Sequence, residues 1–196
     1  MSVLLIAGSP SEHSRCAALL EAVGQRLQFR GALVDHLQIR NLSHQALVLA
    51  DFFHPTISQA IGQVAKANVV VVATPIYQIA YSGVLKIFLD LLPQTALQGK
   101  TILPLATSGS PNHMLALDYA LRPVLQSLGA KQILPSIYAT DAQVSVTESG
   151  ASDIHADIAA RLDEAVNILI RDVHRPTQIH ARRFAPVHFS QVRCSV

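Results

Sequence analysis

The chain has 196 residues, half of them hydrophobic and only 14% charged. That length reads as one domain with a proper core, and that composition excludes a disordered chain. A net charge of +2, with no Lys/Arg stripe between aromatics, argues against nucleic acid as a partner.

No apolar run reaches membrane-spanning length, so no membrane partner is expected. Met1–Ala7 lacks the basic start of a signal peptide. The expectation is a cytoplasmic protein with Cys16 and Cys194 as reduced thiols. Its two cysteines make no CxxC and its nine histidines no HExxH, so no metal site is expected. The low charge leaves more apolar surface than a monomer needs and points to an oligomer.

Val3-Leu4-Leu5-Ile6-Ala7 predicts a buried first strand over residues 2–7. A helix follows from about Ser14 to Phe29, with Leu19, Leu20, Val23 and Leu27 on one face and Gly31 just past its end. Ala32–Leu37 reads as an alternating second strand near a sheet edge, and residues 39–54 as irregular. A helix from Pro55 to Ala67 precedes a third strand, 68–73, whose continuous β-branched run marks a central parallel strand. Thr74-Pro75-Ile76-Tyr77 reads as the loop at its carboxyl end. The helix over 82–92 is apolar on nearly every side, so one side should face the sheet and the other a partner subunit.

The fourth strand, Thr101–Ala106, leads into the loop 107–113 and a helix from about Asn112 to Leu128. A fifth strand spans 132–138, a polar loop 139–151, and a last helix about 152–172. The tail from 173 to 196 is expected to be extended or partly mobile, packing on a neighbouring subunit. The pattern is a doubly wound α/β domain, residues 1–172, with a five-stranded parallel sheet. Ligands of such sheets sit beyond the carboxyl ends of the strands, which singles out residues 8–15, 74–81 and 107–113.

Gly8-Ser9-Pro10-Ser11-Glu12-His13-Ser14-Arg15 joins a buried strand to a helix. Helix N–H groups, three serine hydroxyls and a guanidinium can hold a phosphate there. The loop is neither GxGxxG nor a Walker A, so it suits a single terminal phosphate. The same residues also make a plain polar turn with Ser14 as cap. Pro75, Ile76 and Tyr77 offer a wall for a planar heterocycle, or ordinary amphipathic contacts. Ser108, Gly109 and Ser110 allow close approach to a flat ring, and Ser110 with Pro111 equally starts a helix.

Together, Gly8-Ser9-Pro10 with Ser14-Arg15, Ala73-Thr74-Pro75-Ile76-Tyr77, and Tyr81-Ser82-Gly83-Val84-Leu85-Lys86 with Leu89-Asp90 resemble the NADPH-dependent FMN reductase family. Leu97-Gln98-Gly99-Lys100, Leu103-Pro104-Leu105-Ala106-Thr107 and Asp118-Tyr119-Ala120-Leu121-Arg122-Pro123-Val124-Leu125 narrow it to the reductase branch of two-component alkanesulfonate monooxygenase systems. The similarity spans roughly residues 2 to 172. It implies a flavodoxin-like sheet in the order 2-1-3-4-5. It also implies that Ser9, Ser14 and Arg15 hold the FMN phosphate, and that Pro75, Ile76, Tyr77, Ser108, Gly109 and Ser110 hold the isoalloxazine.

Such proteins reduce free FMN with NADPH, pass FMNH2 to a separate flavin-dependent monooxygenase, and form homodimers or homotetramers; the alternatives are an FMN-retaining quinone or azo reductase and a flavodoxin-type electron carrier. No catalytic acid or base is assigned, because hydride passes between stacked rings. Lys86 and Asp90, four apart on a helix, read as a pair rather than as a phosphate contact. Pro123 denies the Tyr119 carbonyl its helical donor, which predicts a π-bulge at Tyr119. The resemblance places that tyrosine at a subunit interface, where it favours flavin release.

Overall fold

The computed structural model describes residues 1–147 and 151–173. Three apolar runs and the alternating edge segment form a parallel sheet of β1 (Ser2–Ala7), β2 (Leu33–Gln38), β3 (Val69–Tyr77) and β5 (Thr101–Ser108). A fifth position is filled by two pieces, β6 (Gln132–Ile133) and β7 (Ile137–Thr140). The order is β2-β1-β3-β5-β6, with β7 also on β5, which is the expected order 2-1-3-4-5 with its last strand divided. Strand residues alternate between two cores. Leu4, Ile6, Val70, Val72 and Ile102 face α3 (Pro55–Lys66), α4 (Gly83–Asp90) and α5 (Arg122–Ser127). Val3, Leu5, Val69, Val71 and Leu103 face α1 (Arg15–Phe29) and α6 (Ala156–Val173).

Several elements differ from the sequence expectations. Residues 39–54 are not wholly irregular: a 3₁₀ turn, Ile39–Asn41, and a short helix α2, His44–Val48, lie there. Residues 74–77 are not a loop but the end of β3, which turns back at once into β4 (Ala80–Tyr81). Gln78 and Ile79 both take positive φ, 48° and 62°, as the two central residues of a type I′ hairpin turn do. Residues 107–108 likewise continue β5. The loop 139–151 contains part of a hairpin, β8 (Val144–Val146) with β9 (Ser152–Ile154), so the last helix starts four residues later than predicted. The tail after 173, with its expected packing, lies outside the described residues.

Helix α4 is less open to a partner than its composition suggests. Leu85, Phe88 and Leu89 are buried, as are Leu91 and Leu92 just after it, all in this chain's own core. Ile87 is the large apolar side chain of the helix left exposed, at 38%.

The division of the fifth strand has a cause on β5. In a parallel ladder one residue accepts and the next but one donates to the same partner. The Leu134 N–H donates to the Ile102 carbonyl at 2.9 Å. The Leu134 carbonyl would then take the N–H of residue 104, which is a proline and has none. Pairing resumes at Leu105 with Ile137, one residue out of step with Ile102 and Ile133. Arg122 supplies the missing donor, Nη2 to the Leu134 carbonyl at 3.4 Å, and Arg161 donates to the Ser136 and Tyr138 carbonyls at 3.2 and 3.3 Å.

The helix predicted over 112–128 is composite. It comprises a 3₁₀ turn, Pro111–His113, a π-turn, Leu117–Leu121, and α5. The Arg122 N–H reaches back five residues to the Leu117 carbonyl. Pro123 offers Tyr119 no donor, and the wider turn absorbs the loss, as its spacing predicted.

Candidate functional site

A cavity of about 620 Å³ opens at the carboxyl ends of β1, β3 and β5. That volume lies within the range of small-molecule and cofactor sites. It joins eight of the residues expected to bind flavin: Ser9, Ser14, Arg15, Pro75, Ile76, Tyr77, Ser108 and Gly109. A second hollow of about 230 Å³ lies on the other flank of the 8–15 loop, beside β2, and carries none of the ring wall.

The end of the cavity where a phosphate is expected is built by the start of α1. Ser14 caps that helix, its Oγ accepting from the Ala17 N–H at 3.2 Å. Ser9 is buried, and its Oγ accepts from the Ser11 N–H at 3.1 Å, which curls the loop. Capping and anion binding are thus compatible here, since a 15-residue helix still presents first-turn N–H groups and a positive dipole end. Arg15 stands at the first helical position, its Nη1 3.3 Å from Asp141 Oδ2. Glu12, on the same loop, is turned to Arg40 at 3.2 Å, and that hydrogen bond holds its carboxyl below the ordinary range. Cys16 is buried beneath the loop, with Sγ 3.4 Å from Ser14 Oγ. Burial pushes its thiol up, against the smaller opposing effect of hydrogen bonds to Ser14 and Ser9.

The loop is fastened to the sheet and to α4. The Gly8 N–H donates to the Ala73 carbonyl at 2.8 Å. A Cβ on Gly8 would lie 3.0 Å from that oxygen and 3.0 Å from Leu85 Cβ, so a side chain there would press strand and helix apart. Buried Ser82 donates its hydroxyl to the Gly8 carbonyl. Its Oγ also accepts from the Leu85 N–H at 3.2 Å as the cap of α4. The Ser82 N–H donates to Thr74 Oγ1 at 3.0 Å. One serine therefore ties together the 8–15 loop, the end of β3 and the start of α4.

The ring end has an apolar wall and a polar floor. Pro75 and Ile76 are buried, while Tyr77 is half exposed at the rim. Opposite, Thr107 and Ser108 are buried at the end of β5, in register with Pro75 at Thr107. The Ser108 hydroxyl shares a 3.3 Å contact with His113 Nδ1. Ser110 stands beside the cavity rather than in its lining. Its Oγ accepts from the Asn112 N–H at 3.2 Å, and its carbonyl accepts from the Tyr138 hydroxyl. Lys86 lies elsewhere, bonded to Asp90 at 2.6 Å, the helical pair that the spacing suggested.

Sequence reasoning missed Asp141, Val146 and Thr147, which line the cavity from a stretch read as a plain polar loop. The signal was positional: Asp141 directly follows the last parallel strand at its carboxyl end. The Thr74–Ser82 tie was also missed, because neither hydroxyl stands out in composition.

Donors at one end and a flat apolar wall at the other suit a ligand that carries both a phosphate and a planar ring. Comparisons with known proteins point the same way. A family model for NADPH-dependent FMN reductases matches residues 1–144. An Escherichia coli FMN reductase (NADPH) is 41% identical over 175 residues, covering 89% of this chain and 91% of that protein. A Pseudomonas putida FMN reductase (NADPH) is 41% identical over 186 residues, covering 95% and 93%. A solved structure of the apo form of an NADH:FMN oxidoreductase, EMOB, superposes with a TM-score of 0.78 at 39% identity, covering 87% of this chain and 89% of that one.

Proposed function

The chain belongs to the NADPH-dependent FMN reductase family, and on that premise we propose that it reduces free FMN with NADPH and hands the product to a separate monooxygenase. The partner we propose is a flavin-dependent alkanesulfonate monooxygenase in sulfur acquisition. The observation that carries the flavin reading is the single cavity joining a phosphate end to a ring wall. The resemblance of residues 97–107 and 118–125 to the alkanesulfonate branch supports the partner.

Bound flavin supplies the hydride acceptor for nicotinamide C4. The chain's part is placement. Ser9, Ser14, Arg15 and the start of α1 fix the phosphate. Pro75, Ile76 and Tyr77 on one strand end, and Ser108 and Gly109 on its neighbour, set the ring plane, with Ser110 bracing that second loop. Tyr77 at the rim leaves the outer side of the cavity open for a nicotinamide. No proton-transfer residue is needed for a direct hydride step, and orientation provides the rate.

The assembly belongs to the same proposal. Ile79 at the hairpin tip is 66% exposed and Tyr119 on the π-turn 79%, with Met114 and Leu115 exposed beside it. These apolar groups are best covered by another copy, giving a homodimer or homotetramer whose interface borders the flavin site. The domain ends near residue 172, and the protein works in the cytoplasm.

The test is to purify the chain, record its flavin absorbance, and follow NADPH and NADH oxidation with and without added FMN. Little bound flavin, with oxidation that saturates in free FMN, is the expected result. Tightly retained flavin with quinone-dependent turnover would overturn the transfer role. No flavin binding at all would overturn the site.

A further inference from the structure

Arg15 and Asp141 face each other at the phosphate end of the cavity, each side chain a little under half exposed. Asp141 is the acidic residue among those lining it. Its place is fixed. Its N–H donates to the Ser108 carbonyl at 3.1 Å, and the turn that carries it is closed by the Gln143 N–H on the Thr140 carbonyl at 2.9 Å. Gln143 braces that turn twice more, accepting from the Thr140 N–H at 2.9 Å and donating to Asp157 at 3.0 Å. A Cβ on Gly109 would lie 3.6 Å from Asp141 Oδ2, so the carboxylate sits against the backbone of the ring loop.

A fixed carboxylate is out of keeping with a place built for a phosphate. It repels the dianion and occupies the guanidinium that the dianion needs. We infer that Asp141 sets the flavin affinity, holding Arg15 when the site is empty and competing with the FMN phosphate for it when the site fills. The inference rests on the FMN reading above. It gives that reading a release device: binding leans on the ring contacts, and the phosphate grip is deliberately weak. Because the pair is exposed, its effect is a tuning of about three- to tenfold rather than an on–off switch.

The test is a fluorescence titration of the full chain, with FMN and with riboflavin, which lacks the phosphate. Wild type, Asp141→Asn and Asp141→Ser are compared. Wild-type FMN binding checks the underlying reading, and its absence would remove that reading and the inference together. With wild-type binding in hand, both variants should bind FMN about three- to tenfold more tightly and riboflavin as before. The FMN gain should shrink as salt is raised. FMN binding that is unchanged or weaker in the variants would overturn the inference alone. So would equal tightening of both flavins, which marks a steric effect instead of a charge effect. The two substitutions guard against a new contact or misfolding peculiar to one of them.

Discussion

Ser82→Ala should destabilise the protein far more than its small size suggests. Ser82 is 1% exposed, and its hydroxyl donates a hydrogen bond to the Gly8 carbonyl while accepting one from the Leu85 N–H. Alanine removes both. The orphaned, buried Gly8 carbonyl costs about 1–3 kcal/mol. Loss of the cap on α4 costs about 1 kcal/mol more. The sum, about 2–4 kcal/mol, corresponds to a fall in Tm of about 5–15 °C for a chain of this size. Thermal and urea melts of wild type and variant measure it directly. Ser82→Gly separates the two parts, because glycine is nearly as good a cap as serine and restores only that share. A loss below about 0.5 kcal/mol, the range of surface substitutions, would refute the view that this serine ties the phosphate loop to the sheet.

Gln78→Gly should raise the urea midpoint by an amount equivalent to about 1 kcal/mol, since a side chain at φ 48° is strained and glycine is not; an unchanged midpoint would mean the hairpin carries no strain. In a Cys194→Ser background, Cys16 should label with a thiol reagent at pH 8 about a hundredfold more slowly than in denaturant, because reaction must await opening of the fold. Burial raises that thiol's pKa, so the unfolded chain loses its proton first, and stability should fall as pH climbs through 9. Tyr119→Ala should weaken self-association and retain flavin more tightly, read by light scattering and FMN titration, while changing the stability of the fold by no more than about 0.5 kcal/mol because the side chain is 79% exposed. Unchanged assembly and flavin affinity would refute the role of the π-turn in transfer.

The strands of the sheet and the cavity at their carboxyl ends were legible because buried parallel strands announce themselves as apolar β-branched runs, and ligands gather at their carboxyl ends; the order of the strands came from the family resemblance. Val69–Val72 is such a run. Where the strands end was less legible. Residues 74–77 read as a loop, yet Pro75 at the end of β3 sits opposite Thr107 without interrupting the pairing with β5. Pro104, by contrast, lies within a run that reads as unbroken strand, and its effect falls on the neighbouring strand. That effect depends on which side its missing N–H faces, a tertiary fact. The same holds for Ser82 and Asp141, whose partners are 74 residues away for one and across the cavity for the other. The π-turn could be foreseen because its cause, Pro123, is local.

The substitute donor at the divided strand ties two irregularities together. Arg122 reaches the Leu134 carbonyl only because it leaves its helix on the correct side, and it is the residue that closes the π-turn. Each helical residue turns the chain by about 100°. Restoring an ordinary α-turn at unchanged length would carry Arg122 about 100° round the axis, off the sheet edge, and leave the carbonyl opposite Pro104 without a partner. Pro104 in β5 and the π-turn beside Tyr119 are therefore coupled: losing the wide turn without losing a residue strips the divided strand of its substitute donor.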